Sequence, residues 1–405
     1  MKEIKICKMK LSDFATVIMG QSPSSNFYNE EGKGLPFFQG VTDFSYKYPN
    51  ETFWTTVAPK KAEINDVLFS VRAPVGDVNI ANKKCCIGRG IAAIRSKTNQ
   101  IDYLYYLLKY QSIKIQRLGT GAVYDAIKKS DLENILLDVF EDPNSQFQAG
   151  SLLVLYDDLI DTNRRRIQLS EESAGLLFRE WFVYFRFPGH EKVKIVNGVP
   201  KGWERGKVKD LGDIVTGKTP SKKNASNFNG AIPFIKTPDM HQSSIIINAE
   251  ESLSEIGANS QKNKYLPPWS ILVSCIGTVG VVAMNLLRAQ TNQQINSVIP
   301  KEDIYRYYSF FCLSRLKPLL EAVGGGSTMA NVNKNKFENL DIIIPPDTIL
   351  ENFDKIVDPL FKHVSLLTLQ NRKLAQARDL LLPRLMSGAI EVSESNIEIS
   401  KEAET

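Results

Sequence analysis

The chain has 405 residues, 43% of them hydrophobic, which is enough to fill two or three ordinary cores and excludes a disordered or fibrous protein. Its net charge of +5 permits contact with nucleic acid without arguing for it. Five cysteines without a C-x-x-C pair and three scattered histidines support neither a disulfide framework nor a zinc site, and without a signal peptide or an apolar stretch of about 18 residues the expected location is the cytoplasm.

Lys10 to Pro23 opens a pattern that returns at Lys207 to Pro220, 197 residues later, where Asp13 falls on Asp210, Gly20 on Gly217, Ser22 on Thr219 and Pro23 on Pro220. Pro36-Phe37 meets Pro233-Phe234 at the same offset. An insertion in the second copy then raises the offset to 204, at which Leu68, Ser70, Val75 and Gly76 meet Leu272, Ser274, Val279 and Gly280. Ile91 to Ile94 meets Ile295 to Val298, and Leu132 to Ile135 meets Phe337 to Leu340. Matches in this order make the chain a duplication.

Within each copy, β-branched runs bounded by Gly and Pro predict strands over Asp66–Val71 and Ile87–Ile94, and over Ile271–Ile276 and Ile295–Ile299. Ile101–Leu118 and Ile304–Val323 read as helices, the second interrupted at Pro318. Mixed α+β modules follow, over 1–142 and 207–345, with glycine loops at Gly119-Thr-Gly121 and Gly324-Gly-Gly326.

Each module is followed by a long amphipathic segment, 143–187 and 346–387. Ser145 to Gln148 and Thr348 to Glu351 have capping-box form. A heptad seam runs through Leu153, Tyr156, Ile160, Asn163, Ile167, Ser170, Ala174, Leu177, Trp181 and Tyr184. Its counterpart takes Ile349, Phe353, Ile356, Leu360, His363, Leu367, Gln370, Leu374, Ala377 and Leu381, with an extra turn containing Pro359 and expected to kink there. The seam amides Asn163 and Gln370 favour a coiled-coil pair over two ordinary bundle helices. Residues 188–206 carry the breakers of a linker, and 388–405 form a Glu-rich tail expected to be disordered.

Gly212 to Thr219 fits G-x-x-x-x-G-K-T, but apolar Ile214 and Val215 occupy the loop positions and Pro220 continues as loop, so a framework turn is expected rather than a phosphate cradle. Leu266-Pro267-Pro268-Trp269 lacks the polar first residue with which a methyltransferase would hold an amino group. No nuclease-like cluster of carboxylates and lysine recurs in both copies. Basic residues gather in loops, at Lys128-Lys129, Lys222-Lys223, Lys334 and Lys336. A solvated surface or contact with phosphates explains them, and their recurrence after the glycine loops favours contact.

The order module, helix, module, helix resembles the specificity subunit of Type I restriction-modification systems. Gly20 to Pro23, Gly217 to Pro220, Phe178-Arg-Glu-Trp181-Phe-Val183, Val199-Pro-Lys-Gly-Trp203-Glu204, Asn292-Gln-Gln-Ile-Asn296 and Arg378 to Gly388 carry the resemblance. The first module departs from it, with Gly90 to Ala93 where the second has Gln294 to Ser297.

The resemblance implies a non-catalytic subunit with two target recognition domains reading a bipartite, asymmetric double-stranded DNA target, and antiparallel helices acting as a ruler. Two methyltransferase subunits and translocase-endonuclease subunits are the implied partners in a prokaryotic cytoplasm. S-adenosylmethionine, ATP and Mg belong to those partners; no cofactor, metal or membrane is expected for this chain. DNA contacts are expected at Gln21, Ser22, Ser24, Ser25, Arg89, Thr120, Tyr124, Lys128 and Lys129 in the first module. In the second they are expected at Lys218, Thr219, Ser221, Lys222, Lys223, Gln293, Ser327, Thr328, Asn331 and Lys334. Arg164, Arg165, Trp181 and Phe182 are expected to dock the partner. A coiled-coil adapter that touches no DNA and a nucleotide-binding enzyme using Lys218 are the alternatives.

Overall fold

The computed structural model describes residues 4–119, 126–241, 243–325 and 331–390. They divide into two compact units, Met1–Asp161 with Arg372–Thr405, and Thr162–Asn371. Each unit therefore holds one α+β module and part of both long helices.

In the first unit the strands Ala15–Met19, Ile91–Ser96, Val67–Ser70 and Val78–Ile80 lie side by side in that order. Ile94 pairs antiparallel with Val17 on one side and with Val67 on the other. The apolar run at Ile91 to Ile94 suits a strand covered on both faces, because successive side chains point to opposite sides. Ala92 and Ile94 join Tyr103 and Leu107 of the helix Ile101–Gly119, whereas Ile91 and Ala93 join Phe38, Ala62 and Ile87.

The single strand expected over Ile87–Ile94 is two strands in different sheets, Cys85–Ile87 and Ile91–Ser96. Gly88-Arg89-Gly90 turns the chain between them, because Gly88 N–H bonds Phe38 O at 2.8 Å and Gly90 N–H bonds Gln39 O at 3.1 Å.

The second unit repeats this frame. Gly212–Thr216, Ile295–Pro300, Ile271–Ser274 and Val282–Asn285 lie in the same order, and Val298 pairs with Ile214 and Ile271. A fifth strand, Ile245–Ile246, is added at the edge. The helix expected over Ile304–Val323 is broken at Leu316 into Arg306–Arg315 and Lys317–Gly324. Pro318 takes the first turn of the second piece, where its missing N–H leaves no bond unmade.

The linker is shorter than expected. Glu204–Lys207 pairs with Asp341–Ile344, as Ile6–Lys10 pairs with Leu136–Phe140, so the second module begins before residue 207. Trp203 is buried against Phe182, Phe185 and Phe187, which ties the end of the connection to the core. Of the expected tail, Gly388 to Ile390 are described and 391–405 lie outside the described residues.

The first long helix spans Pro143–Phe178 and widens into a π turn over Arg179–Val183. At 1.5 Å per residue the α segment is about 54 Å long. Its cap is Asp142, which accepts from the Ser145 amide at 3.0 Å, rather than the capping box at Ser145. Pro143 then sits first in the helix, where its fixed φ is already helical. The second long helix, Asp347–Met386, starts one residue before the expected cap Thr348 and stays helical through Pro359.

Within each unit the helices pair antiparallel: Asp157 meets Arg378 in the first, and Asn163 meets Gln370 and Arg166 meets His363 in the second. Asn163 donates to Gln370 at 3.2 Å and to Asn371 at 2.9 Å, so the expected seam amides do meet.

The expected seam is displaced by one residue at several places. Asp157 and Phe178 are buried where Tyr156 and Leu177 were expected, and Tyr184 is exposed. Val357, Phe361, Val364 and Arg378 replace Ile356, Leu360, His363 and Ala377. A hydrophobic pattern passes over Asp157 and Arg378 because neither is apolar, although each compensates the other's charge. Among the described residues no helix is long and apolar enough to cross a membrane.

Candidate nucleic-acid interface

One assembly of three loops recurs at the same end of both central sheets. In the first module Gly20 N–H bonds Ile91 O at 2.9 Å and Gln21 N–H bonds Ile87 O at 2.9 Å. In the second, Gly217 bonds Ile295 O at 3.0 Å and Lys218 bonds Thr291 O at 2.9 Å. A Cβ on Gly20 would stand 2.1 Å from Gly88 O, and one on Gly217 would stand 2.1 Å from Asn292 O. Such backbone approach is why the G-x-S/T-P turn needs glycine.

The third loop joins by Val71 N–H to Gly90 O at 2.9 Å and Ile127 N–H to Val71 O at 2.8 Å. Its counterparts are Cys275 to Gln294 O at 2.7 Å and Val332 to Cys275 O at 2.8 Å. Bridges from Arg72 to Ala126 and from Ile276 to Asn331 complete the correspondence.

This geometry gathers Gln21, Ser22 and Arg89, and the chain that leads into Lys128 and Lys129, at one end of the first module. In the second it gathers Lys218, Thr219, Gln293 and Asn331, followed by Lys334. Ser24 and Ser25 are exposed just beyond the first turn. Ser221, Lys222 and Lys223 extend from the second, where Asn227 donates to Ser221 O at 2.9 Å. Thr120, Tyr124, Ser327 and Thr328 lie outside the described residues.

Gly212 to Thr216 is itself a strand and Gly217 to Pro220 a loop, so no helix N-terminus follows to cradle phosphate. The Lys218 carbonyl is instead held at 2.7 Å by Gln261, a buried side chain that also bonds Gln290 at 2.7 Å. Sequence reasoning missed Gln261 because the insertion that supplies it has no counterpart in the first copy. It missed Gln39 and Arg72, beside Arg89, because recurrence was the filter and the second copy has Lys236 and Ile276 there. Among the described residues no group of side chains could hold a metal ion.

The docking expectation needs correction. Trp181 and Phe182 are 6% and 7% exposed and pack on Phe353, so neither ring offers a surface to a partner. A helix-face pattern cannot tell a ring turned to its own module from one turned outward. Arg164 and Arg165 do lie on the exposed face, Arg165 donating to Gln168 at 3.0 Å.

The buried polar groups of the two units differ. In the first, Asp157 accepts from Tyr106 at 2.5 Å, Tyr46 at 2.6 Å and Arg378 at 2.5 Å. Burial opposes its charge, but these three donors outweigh burial and hold its carboxyl below the usual carboxylate range. Lys47, also buried, donates to Asp158 at 2.6 Å. In the second unit Ser244 donates to Glu171, whose carboxyl is pushed up by burial.

Two modules built on one loop frame and joined to long helices define a duplicated recognition protein. The family model for the Type I restriction modification DNA specificity domain matches residues 3–170 and again 200–378, and the chain belongs to that family. It is 28% identical to the Type I restriction enzyme MjaIX specificity subunit of Methanocaldococcus jannaschii, over 95% of this chain and 93% of that protein. Against the Type I restriction enzyme HindI specificity subunit of Haemophilus influenzae it is 43% identical, but over 47% of this chain and 42% of that one. The S subunit of a Type I restriction-modification system from M. genitalium has the same fold, at a TM-score of 0.63, 16% identity and coverage of 95% and 97% of the two chains.

Proposed function

We propose that the chain is the sequence-specific DNA-recognition subunit of a Type I restriction-modification complex, each module reading one half of a split, asymmetric target. The observation that carries this reading is the repeated loop frame with unlike side chains at its tip. A frame that recurs while its exposed residues change suits two readers of different half-sites. The long helices set the spacing between half-sites and dock two methyltransferase subunits, to which translocase-endonuclease subunits are added. S-adenosylmethionine, ATP and Mg are bound by those partners, in a prokaryotic cytoplasm. The chain itself contributes recognition rather than catalysis.

Gel shift of the complex on duplexes carrying its methylation motif tests the reading. Preference for the motif over scrambled DNA supports it, and indifference to sequence contradicts it. Adding one helical turn at matched positions of both long helices should change the preferred spacer and leave the half-sites unchanged.

A further inference from the structure

Arg89 differs from Arg95 of the same module in how it is held. All three amides of Gly88-Arg89-Gly90 are bonded: Gly88 to Phe38 O at 2.8 Å, Arg89 to Ser22 Oγ at 3.3 Å and Gly90 to Gln39 O at 3.1 Å. Gly90 leaves no room for a side chain, since a Cβ there would lie 2.5 Å from Gln39 O, and Gly88 is tight, with a Cβ 3.0 Å from Gln39 Cα. The backbone is clamped, and the Arg89 side chain is exposed.

It lines a cleft of about 300 Å³ together with Arg72, Gln39 and Thr42. Neither guanidinium meets a carboxylate among the described residues, whereas Arg95 of the same module makes two 2.7 Å bonds to Asp66. Two cations that meet no carboxylate among the described residues, beside a loop whose amides are all bonded, suit a ligand rich in acceptors.

The same position in the second module is Gln293, 204 residues on. Its amide is oriented in another way, since the Thr219 hydroxyl donates to Oε1 at 2.8 Å. One lone pair of that oxygen and both N–H donors stay available. The two tips thus present different hydrogen-bonding patterns from one framework site, the guanidinium suited to guanine O6 and N7 and the amide to adenine N6 and N7. A fixed backbone at Arg89 and a side chain already held at Gln293 reduce the freedom lost on contact.

We infer that Arg89 and Gln293 are matched base-reading residues, Arg89 selecting a guanine in the half-site of the first module and Gln293 an adenine in that of the second. This rests on the proposed recognition function. The test measures binding of the assembled methyltransferase complex to its motif and to duplexes changed one base pair at a time.

Arg89→Ala should abolish discrimination at one G·C pair of the first half-site, by about 5- to 150-fold, and leave every other position unchanged. Arg89→Gln should move that preference towards A·T, and Gln293→Ala should act in the second half-site alone. A uniform weakening on all duplexes with a shallower salt dependence would make Arg89 a phosphate contact and overturn the inference. Unchanged discrimination in a variant that assembles and melts like wild type would overturn it too. Failure of the recognition reading is a different result: the wild-type complex itself would then prefer no sequence.

Discussion

Both units tie module to long helix by a tyrosine hydroxyl donating to an aspartate, Tyr106 to Asp157 at 2.5 Å and Tyr307 to Asp358 at 2.9 Å, but they differ in what surrounds that bond. In the first, a buried ion pair with two tyrosine donors gathers on Asp157, and in the second Phe178, Trp181, Phe182 and Phe311 gather around Phe353, which is itself fully buried. The sheets keep one register while these joints diverge. A fold is thus specified by its strand pairing and glycine contacts, and the joint keeps its Tyr–Asp bond while the groups around it are free to be ionic or aromatic provided every buried charge is compensated.

Removing one partner of the ion pair should cost the most. Asp157→Ala takes the buried acceptor from Tyr46, Tyr106 and Arg378 together, leaving the Arg378 guanidinium only the more exposed Asp379, and should destabilise the first unit by about 3–5 kcal/mol in chemical denaturation. Asp157→Leu with Arg378→Met should recover most of that loss. Phe353→Ala opens a cavity in the aromatic joint and should cost the second unit about 3–5 kcal/mol, with no dependence on salt. A purely hydrophobic first joint would instead make the double variant worse than the single one.

Acid sharpens the contrast. The native pKa of Asp157 lies below its unfolded value, so its contribution is complete above the unfolded value and is lost as pH falls through the native one. The stability gap between wild type and Asp157→Asn should therefore close in acid, as followed by denaturation at a series of pH values. The gap caused by Phe353→Ala should stay constant.

Smaller effects fall on the loops the modules share. Gly20→Ala and Gly217→Ala force a methyl group onto a backbone oxygen and should each cost about 1–3 kcal/mol, with recognition lost only in the corresponding half-site. Lys218→Ala should be the mildest, weakening DNA binding uniformly and lowering the salt slope by about one, with no effect on nucleotide binding. Nucleotide binding that disappears with Lys218→Ala would support the enzyme alternative instead.

The duplication, the strands at Val67 and Ile271 and the rod-like helices were legible because apolar periodicity and glycine spacing record them directly. The turn at Gly88 to Gly90 was not, since a run of buried residues reads alike whether it forms one strand or two in different sheets. The helix seam drifted by a residue for a related reason: buried Asp157 and Arg378 are invisible to an apolar pattern. At the candidate interface, recurrence pointed to Gln21, Lys218 and the basic loops. It passed over Arg72 because the second copy has Ile276 there, so no repeat reveals it.

In the proposed function each module reads its own half of a divided target. Replacing residues 1–142 with the corresponding module of another such subunit, then sequencing the methylated sites of the host, tests this most directly. The predicted result is a motif with one half replaced, and the other half and the spacer retained. A motif left unchanged, or altered in both halves at once, would contradict it.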